Sequence, residues 1–99
     1  MVISQTKEND SIILAVSGEL TALTAGQLTD AVKKTIEETN ILVLDFQDLE
    51  YVASAGLRVL LLAKKSLDAK GGDFILRNVG EAVMDILEIT GFSEILNLE

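Results

Sequence analysis

The sequence contains no cysteine, no histidine, no proline and no tryptophan, and its aromatics are limited to three Phe and one Tyr among 99 residues. Each absence removes a class of chemistry. Without Cys or His there is no zinc finger, no thiol nucleophile, no Ser-His-Asp triad and no imidazole acid or base. Any reaction has to run on carboxylates, hydroxyls, Lys or Arg. The lack of Cys also suits a reducing compartment. Positive charge is scarce: eight Lys and Arg stand against sixteen Asp and Glu, for a formal net charge of −8. Such a surface repels polyanions, whose phosphates need a positive patch, so nucleic acid and anionic membrane are not expected as partners. Long apolar runs are missing too. An uncharged apolar run such as Val59 to Ala63, which none exceeds, falls far short of the roughly 20 residues that cross a bilayer. The start, Met1-Val2-Ile3-Ser4, lacks the basic n-region and apolar stretch of a signal peptide. A cytoplasmic protein with no direct membrane insertion is the expectation.

What is present is aliphatic. Hydrophobic residues make up 48% of the chain, and a domain of this size buries about 60–65% of its unfolded surface, enough for a core without disulfides or metal. There is no internal repeat, low-complexity stretch or linker, so residues 1–99 read as one domain.

Val2 to Lys7 and Ser11 to Ser17, joined by Glu8-Asn9-Asp10, read as a β-hairpin, because Asn and Asp tolerate turn conformations that β-branched residues avoid. Ile12, Leu14 and Val16 share one face of the second strand, and Ile13 and Ala15 make the other face apolar as well, so cover on both sides is expected. After the Gly18-Glu19-Leu20-Thr21 connection, Ala25, Leu28, Val32 and Ile36 recur at helical spacing. Thr21 or Thr24 can cap that helix, and Asp30 with Lys34 is an i,i+4 pair. Ile41-Leu42-Val43-Leu44 reads as a strand buried on both faces, of the kind found in parallel sheets. Asp45 to Val52 is a mixed connection. A helix rich in Leu, Val and Ala follows from Leu57 to Leu67, stopped by Gly71-Gly72.

Phe74-Ile75-Leu76 within Asp73 to Arg77 is another strand, and Asn78-Val79-Gly80 a turn. Glu81 to Thr90 is a helix with Val83, Ile86 and Leu87 inward and Glu81 suited to its positive N-terminus. Ser93 to Leu98 fits either a helical turn or a terminal strand. The order β-β-α-β-α-β-α predicts the α/β class: a mixed, mainly parallel sheet with an N-terminal antiparallel hairpin strand, right-handed crossovers and helices packed against it.

The segment Ala53-Ser54-Ala55-Gly56-Leu57-Arg58 carries the most functional information. It places a hydroxyl where a loop meets the start of the most apolar helix. One reading makes Ser54 an N-cap, its Oγ accepting from the N–H of Gly56 or Leu57, worth about 1 kcal/mol. The other makes it a modification site, where a phosphate meets unpaired backbone N–H groups and the surface gains roughly −1.5 to −2 charges. Arg58, one turn on, is either solvated along its stem or placed for a charge-assisted contact with a phosphate or a partner acid. Asp45 and Asp48 lack the further oxygen ligands of a divalent metal site and read as solvated loop ends. Lys64 and Lys65 read as a solvated face. The glycines form neither a P-loop nor G-x-G-x-x-G, so no metal and no cofactor is expected, and nothing pairs a nucleophile with a base as an enzyme would.

Gly18-Glu19-Leu20 after a hairpin, Ile41-Leu42-Val43-Leu44-Asp45, Leu49-Glu50-Tyr51-Val52, Leu76-Arg77-Asn78-Val79, Leu87-Glu88-Ile89-Thr90-Gly91-Phe92 and above all Ser54-Ala55-Gly56-Leu57-Arg58-Val59-Leu60, taken in this order and spacing, resemble the STAS domain of bacterial anti-sigma factor antagonists along nearly the whole chain. The resemblance implies partner switching. The unphosphorylated form binds an anti-sigma factor that is also a GHKL-type serine kinase, freeing the sigma factor; phosphorylation of the motif serine breaks the complex, and a PP2C-type phosphatase restores it. On this chain the acceptor falls on Ser54, and the partner-binding rim on Glu19, Thr21, Thr24, Ala53, Ser54, Ala55, Gly56 and Arg58. Two positions depart from the family pattern. Ala53 stands where an Asp commonly precedes the acceptor, and Thr21 where an Asp commonly follows Gly-Glu-Leu. These departures leave two alternatives: phosphorylation under altered recognition, or a binding-only member. A non-phosphorylated accessory subunit of a membrane lipid transporter is the competing function.

Overall fold

Successive side chains of a strand point to opposite faces, and in the computed structural model, which covers residues 1–99, Ile12, Leu14 and Val16 are all buried on one side of their strand. That strand, β2 (Ser11–Leu20), forms an antiparallel hairpin with β1 (Val2–Glu8), in register Val2 with Ser17 and Glu8 with Ser11. The turn passes through Asn9 at φ +57°, a conformation Asn accepts more readily than most residues.

Beyond the hairpin every strand pairing is parallel: β3 (Ile41–Asp45) lies between β2 and β5 (Asp73–Arg77), and β6 (Asn97–Leu98) closes the far edge. The sheet order is β1-β2-β3-β5-β6, with β4 (Leu49–Val52) added to the end of β2. The helices are α1 (Ala25–Ile36), α2 (Ser54–Ala69), α3 (Glu81–Ile89) and the single turn α4 (Phe92–Ile95).

Register explains the core. Ile12, Leu42 and Phe74 are neighbours across the sheet, as are Leu14, Leu44 and Leu76. All six join Leu28 and Val32 of α1, Val59, Leu60, Ala63 and Leu67 of α2, and Val83 and Leu87 of α3 in one core of 20 buried residues. Ile13 and Val43 are buried outside that core, on the sheet's other face, where Ala15 is exposed. The expected two-sided cover of β2 therefore holds at Ile13 and fails at Ala15.

At the amino-terminal end of the parallel strands, hydroxyl and ammonium groups satisfy loop carbonyls. Thr39 Oγ1 donates to Asp10 O at 2.7 Å and accepts from Ile41 N–H at 3.1 Å. Lys70 Nζ donates to Ile36 O and to Thr39 O, stitching the end of α2 to the end of α1.

Several expectations need correction. β2 does not stop at Ser17. Gly18, at φ +95°, carries a register shift that turns the strand from β3 towards β4, so Gly18-Glu19-Leu20 is strand, not connection. The mixed connection before Ala53 contains β4, whose Leu49 and Val52 are buried while Glu50 and Tyr51 are exposed. Asp30 and Lys34 form no ion pair; the chain's two pairs are Lys64–Asp68 and Arg77–Glu99. Lys64 is thus held by Asp68 rather than merely solvated. Ile86 is half-buried, and the last segment is both a helical turn and a strand. No helix is long and apolar enough to cross a membrane.

Leu60 is fully buried whereas Ile89 is 86% exposed. Leu60→Ala is expected to cost about 2–5 kcal/mol, and Ile89→Ala to stay within about 0.5 kcal/mol. Urea unfolding checks both: the midpoint should fall sharply for the first variant only, with the slope unchanged.

Candidate functional site

Parallel strands deliver their carboxyl ends to one side of the sheet, and the loops that leave them meet there. After β2 the chain runs through Thr21–Thr24 into α1; after β4 it passes through the single residue Ala53 into α2. Ala53 N–H donates to Leu20 O at 2.8 Å, carrying the β2–β4 ladder one residue beyond Val52. Its backbone is extended (φ −96°, ψ 175°), and its carbonyl accepts from Gly56 N–H at 2.9 Å and Leu57 N–H at 3.1 Å. Ala53 is therefore the N-cap residue, and Ser54 is the first residue of the helix.

This corrects the reading of Ser54 as a cap. The ladder bond to Leu20 keeps Ala53 extended, so the cap position falls on a side chain with no acceptor, and no side chain caps α2. Ser54 is exposed, as is Arg58, while Ala55 is half-buried and Gly56 buried. The hydroxyl is thus not used in holding the helix together.

Gly56 lets this turn approach the sheet. A Cβ placed there would lie 2.5 Å from Leu20 Cγ, 2.8 Å from its Cδ2 and 3.3 Å from its carbonyl oxygen. Leu20 is itself fully buried, so the start of α2 rests on a fixed core residue.

The neighbouring loop is ordered by its own hydroxyls. Thr24 Oγ1 donates to Glu19 O at 2.8 Å and accepts from Thr21 N–H at 2.9 Å, while Thr21 Oγ1 accepts from Leu23 N–H at 3.2 Å. Thr24 occupies the N-cap position of α1 without capping it, since its hydroxyl is engaged by the loop. Thr21 and Thr24 thus organise the turn and are half-buried, and Glu19 is exposed beside it.

Two residues that the sequence did not single out stand in the same region. Leu23 is 97% exposed in this hydroxyl-held turn, and Tyr51, opposite Glu19 in the ladder, is 46% exposed. Leu23 falls outside the helical spacing of Ala25, Leu28 and Val32, a signal that was available; Tyr51 was hidden because β4 was not recognised. Asp45 is committed elsewhere: its Oδ1 accepts from Gln47 N–H at 3.0 Å and from Asn78 Nδ2 at 3.1 Å. No three Asp or Glu residues gather as metal ligands. The arrangement offers an exposed hydroxyl at the head of a 16-residue helix, beside a rigid loop with an apolar tip.

The STAS domain family model matches residues 3–99. An anti-sigma-B factor antagonist of Listeria monocytogenes is 30% identical over 94 residues, 94% of this chain and 82% of that protein. Among solved structures, a proposed anti-sigma factor antagonist of Thermotoga maritima superposes with a TM-score of 0.91 at 26% identity, over 97% of this chain and 84% of that one. The unphosphorylated form of the anti-sigma factor antagonist SpoIIAA does so with a TM-score of 0.84 at 18% identity, over 99% and 88%; at that identity the likeness is one of fold.

The Gly56 contact gives a paired test. Gly56→Ala is expected to destabilise by about 1–3 kcal/mol through overpacking, although Ala is the better helix former by about 1 kcal/mol. Gly26 in α1 has nothing within 4 Å of the corresponding position, so Gly26→Ala is expected to stabilise by about 0.5 kcal/mol. Thermal melts of the two variants should move in opposite directions.

Proposed function

The chain belongs to the STAS domain family, and on that premise we propose that it is an anti-sigma factor antagonist that works by partner switching. It is a binding module rather than an enzyme. In its unphosphorylated form it engages, in the cytoplasm, an anti-sigma factor that is also a GHKL-type serine kinase, and so releases the sigma factor. Phosphorylation at Ser54 ends that contact, and a PP2C-type phosphatase reverses it.

The observation that carries the reading is the state of the Ser54 hydroxyl: exposed, on the first residue of α2, and free of any capping role. A kinase can reach it, and a phosphate can occupy it, without breaking a bond on which the fold depends. The added charge of about −1.5 to −2 then acts on whatever packs against this surface, by repulsion and by the cost of desolvation. The partner surface proposed for the unphosphorylated form is the rim of Glu19, Thr21, Thr24, Ala53, Ser54, Ala55, Gly56 and Arg58, with Leu23 and Tyr51 as its apolar contacts. Gly56, being buried, shapes that rim without touching the partner. Ala53 supports the same reading in one respect: a methyl group there adds no charge next to the acceptor, so the phosphate brings the first negative charge to this turn.

Incubation with the cognate kinase and ATP, followed by mass-spectrometric mapping, should place the phosphate on Ser54; labelling elsewhere with Ser54 untouched defeats the proposal. In titration calorimetry, Ser54→Asp is expected to weaken kinase binding at least about tenfold, or ~1.4 kcal/mol, with Ser54→Ala within about threefold of the unaltered chain. Equal affinities for the two variants would argue against a charge switch. Recovery of transporter ATPase and permease subunits in place of a kinase in a pull-down would favour the accessory-subunit function.

A further inference from the structure

Side-chain cations are almost absent from the end of the molecule that carries Ser54. Glu19 at the end of β2, Asp45 and Asp48 after β3, Glu50 on β4, Glu81 at the head of α3 and Glu99 after β6 all lie at the carboxyl ends of the parallel strands. Only two cations stand among them, Arg58 and Arg77. Arg77 is taken, its Nε donating to Glu99 Oε1 at 3.0 Å. Arg58 is exposed and takes part in neither of the chain's ion pairs. It stands four residues after Ser54 in α2, on the same helix face, with the anionic member on the N-terminal side, the favourable order for an i,i+4 pair. The same helix already holds such a pair at this spacing, Lys64 with Asp68 at 2.9 Å, even though its order is the less favourable one.

We propose that Arg58 receives the phosphate of phosphorylated Ser54, its planar guanidinium fork bridging two phosphate oxygens. The inference rests on Ser54 as the acceptor and specifies how that site is regulated. Modification then changes two charges together. A neutral hydroxyl beside a free cation becomes a paired group of net charge about −0.5 to −1, and the one uncommitted side-chain cation at this end is withdrawn from any partner.

Phosphoserine placed at position 54 of the full chain during translation makes the test independent of any kinase. The second ionisation of the phosphate, followed by phosphorus NMR, is expected to have its midpoint about 0.3 unit or more lower with Arg58 than in Arg58→Gln. The difference should shrink in about 1 M NaCl, and Arg58→Lys should recover at least half of it. Coincident midpoints for Arg58 and Arg58→Gln overturn the pairing; so does a difference that high salt leaves unchanged, since that marks altered local structure. Failure of a kinase to label Ser54 would instead defeat the acceptor assignment, while the NMR comparison still decides the pair.

Discussion

The first turn of α2 rests directly on Leu20, and the placement of the candidate site depends on that contact. Leu20 is fully buried, its carbonyl accepts the Ala53 N–H, and its side chain fills the space that any residue larger than Gly at position 56 would need. One residue is thus at once the end of a strand, part of the core and the seat of the helix that presents Ser54. Because protein interiors are close-packed and yield little, the backbone that presents the hydroxyl is held by the core itself.

This arrangement separates the fold from the proposed switch. The N–H groups of Gly56 and Leu57 are satisfied by the Ala53 carbonyl, and no side chain caps the start of α2. A serine that capped the helix would contribute about 1 kcal/mol and would lose that role on modification. Ser54 has no such role to lose. The loop Thr21–Thr24 follows the same logic, using two hydroxyls and backbone groups to fix a turn without adding charge near the acceptor. On the proposed switch, modification would change the electrostatics of such a surface without costing the fold a hydrogen bond.

How much of this was legible in the sequence follows from the range of each interaction. The helices α1, α2 and α3 and the strands β3 and β5 were visible because apolar spacing within a segment reports which side is buried. β4 was not, because Leu49-Glu50-Tyr51-Val52 buries its two ends and exposes its middle, a pattern with no period of two. The continuation of β2 past Gly18 depends on a partner some 30 residues away in sequence, and a glycine in a strand looks like a turn until that partner is known. The same distance effect moved the helix cap from Ser54 to Ala53. β6 exists only because Asn97 and Leu98 find Ile75 and Leu76, which a two-residue strand cannot announce. At the site, Ser54 was legible from its residue type and its surroundings, and Leu23 from its place outside the helical spacing, whereas the exposure of Tyr51 was a property of the assembled rim.

That rim gives the chain's charge a more specific meaning. With a net charge of −8, the long-range field attracts any basic surface and repels any acidic one alike, so selectivity among partners must come from short-range fit. Leu23 and Tyr51 supply exposed apolar area beside a neutral hydroxyl, the combination that a partner can cover at low desolvation cost. A phosphate at the centre of such a surface has one free cation within helical reach, and even a complete pair with Arg58 leaves net negative charge. Covering that residue means removing water from an incompletely neutralised group, for which a partner must bring a cation of its own or dissociate. On the proposed partner switch, the scarcity of positive charge, which at first only excluded nucleic acid, is therefore also what would make a single modification sufficient to reverse binding.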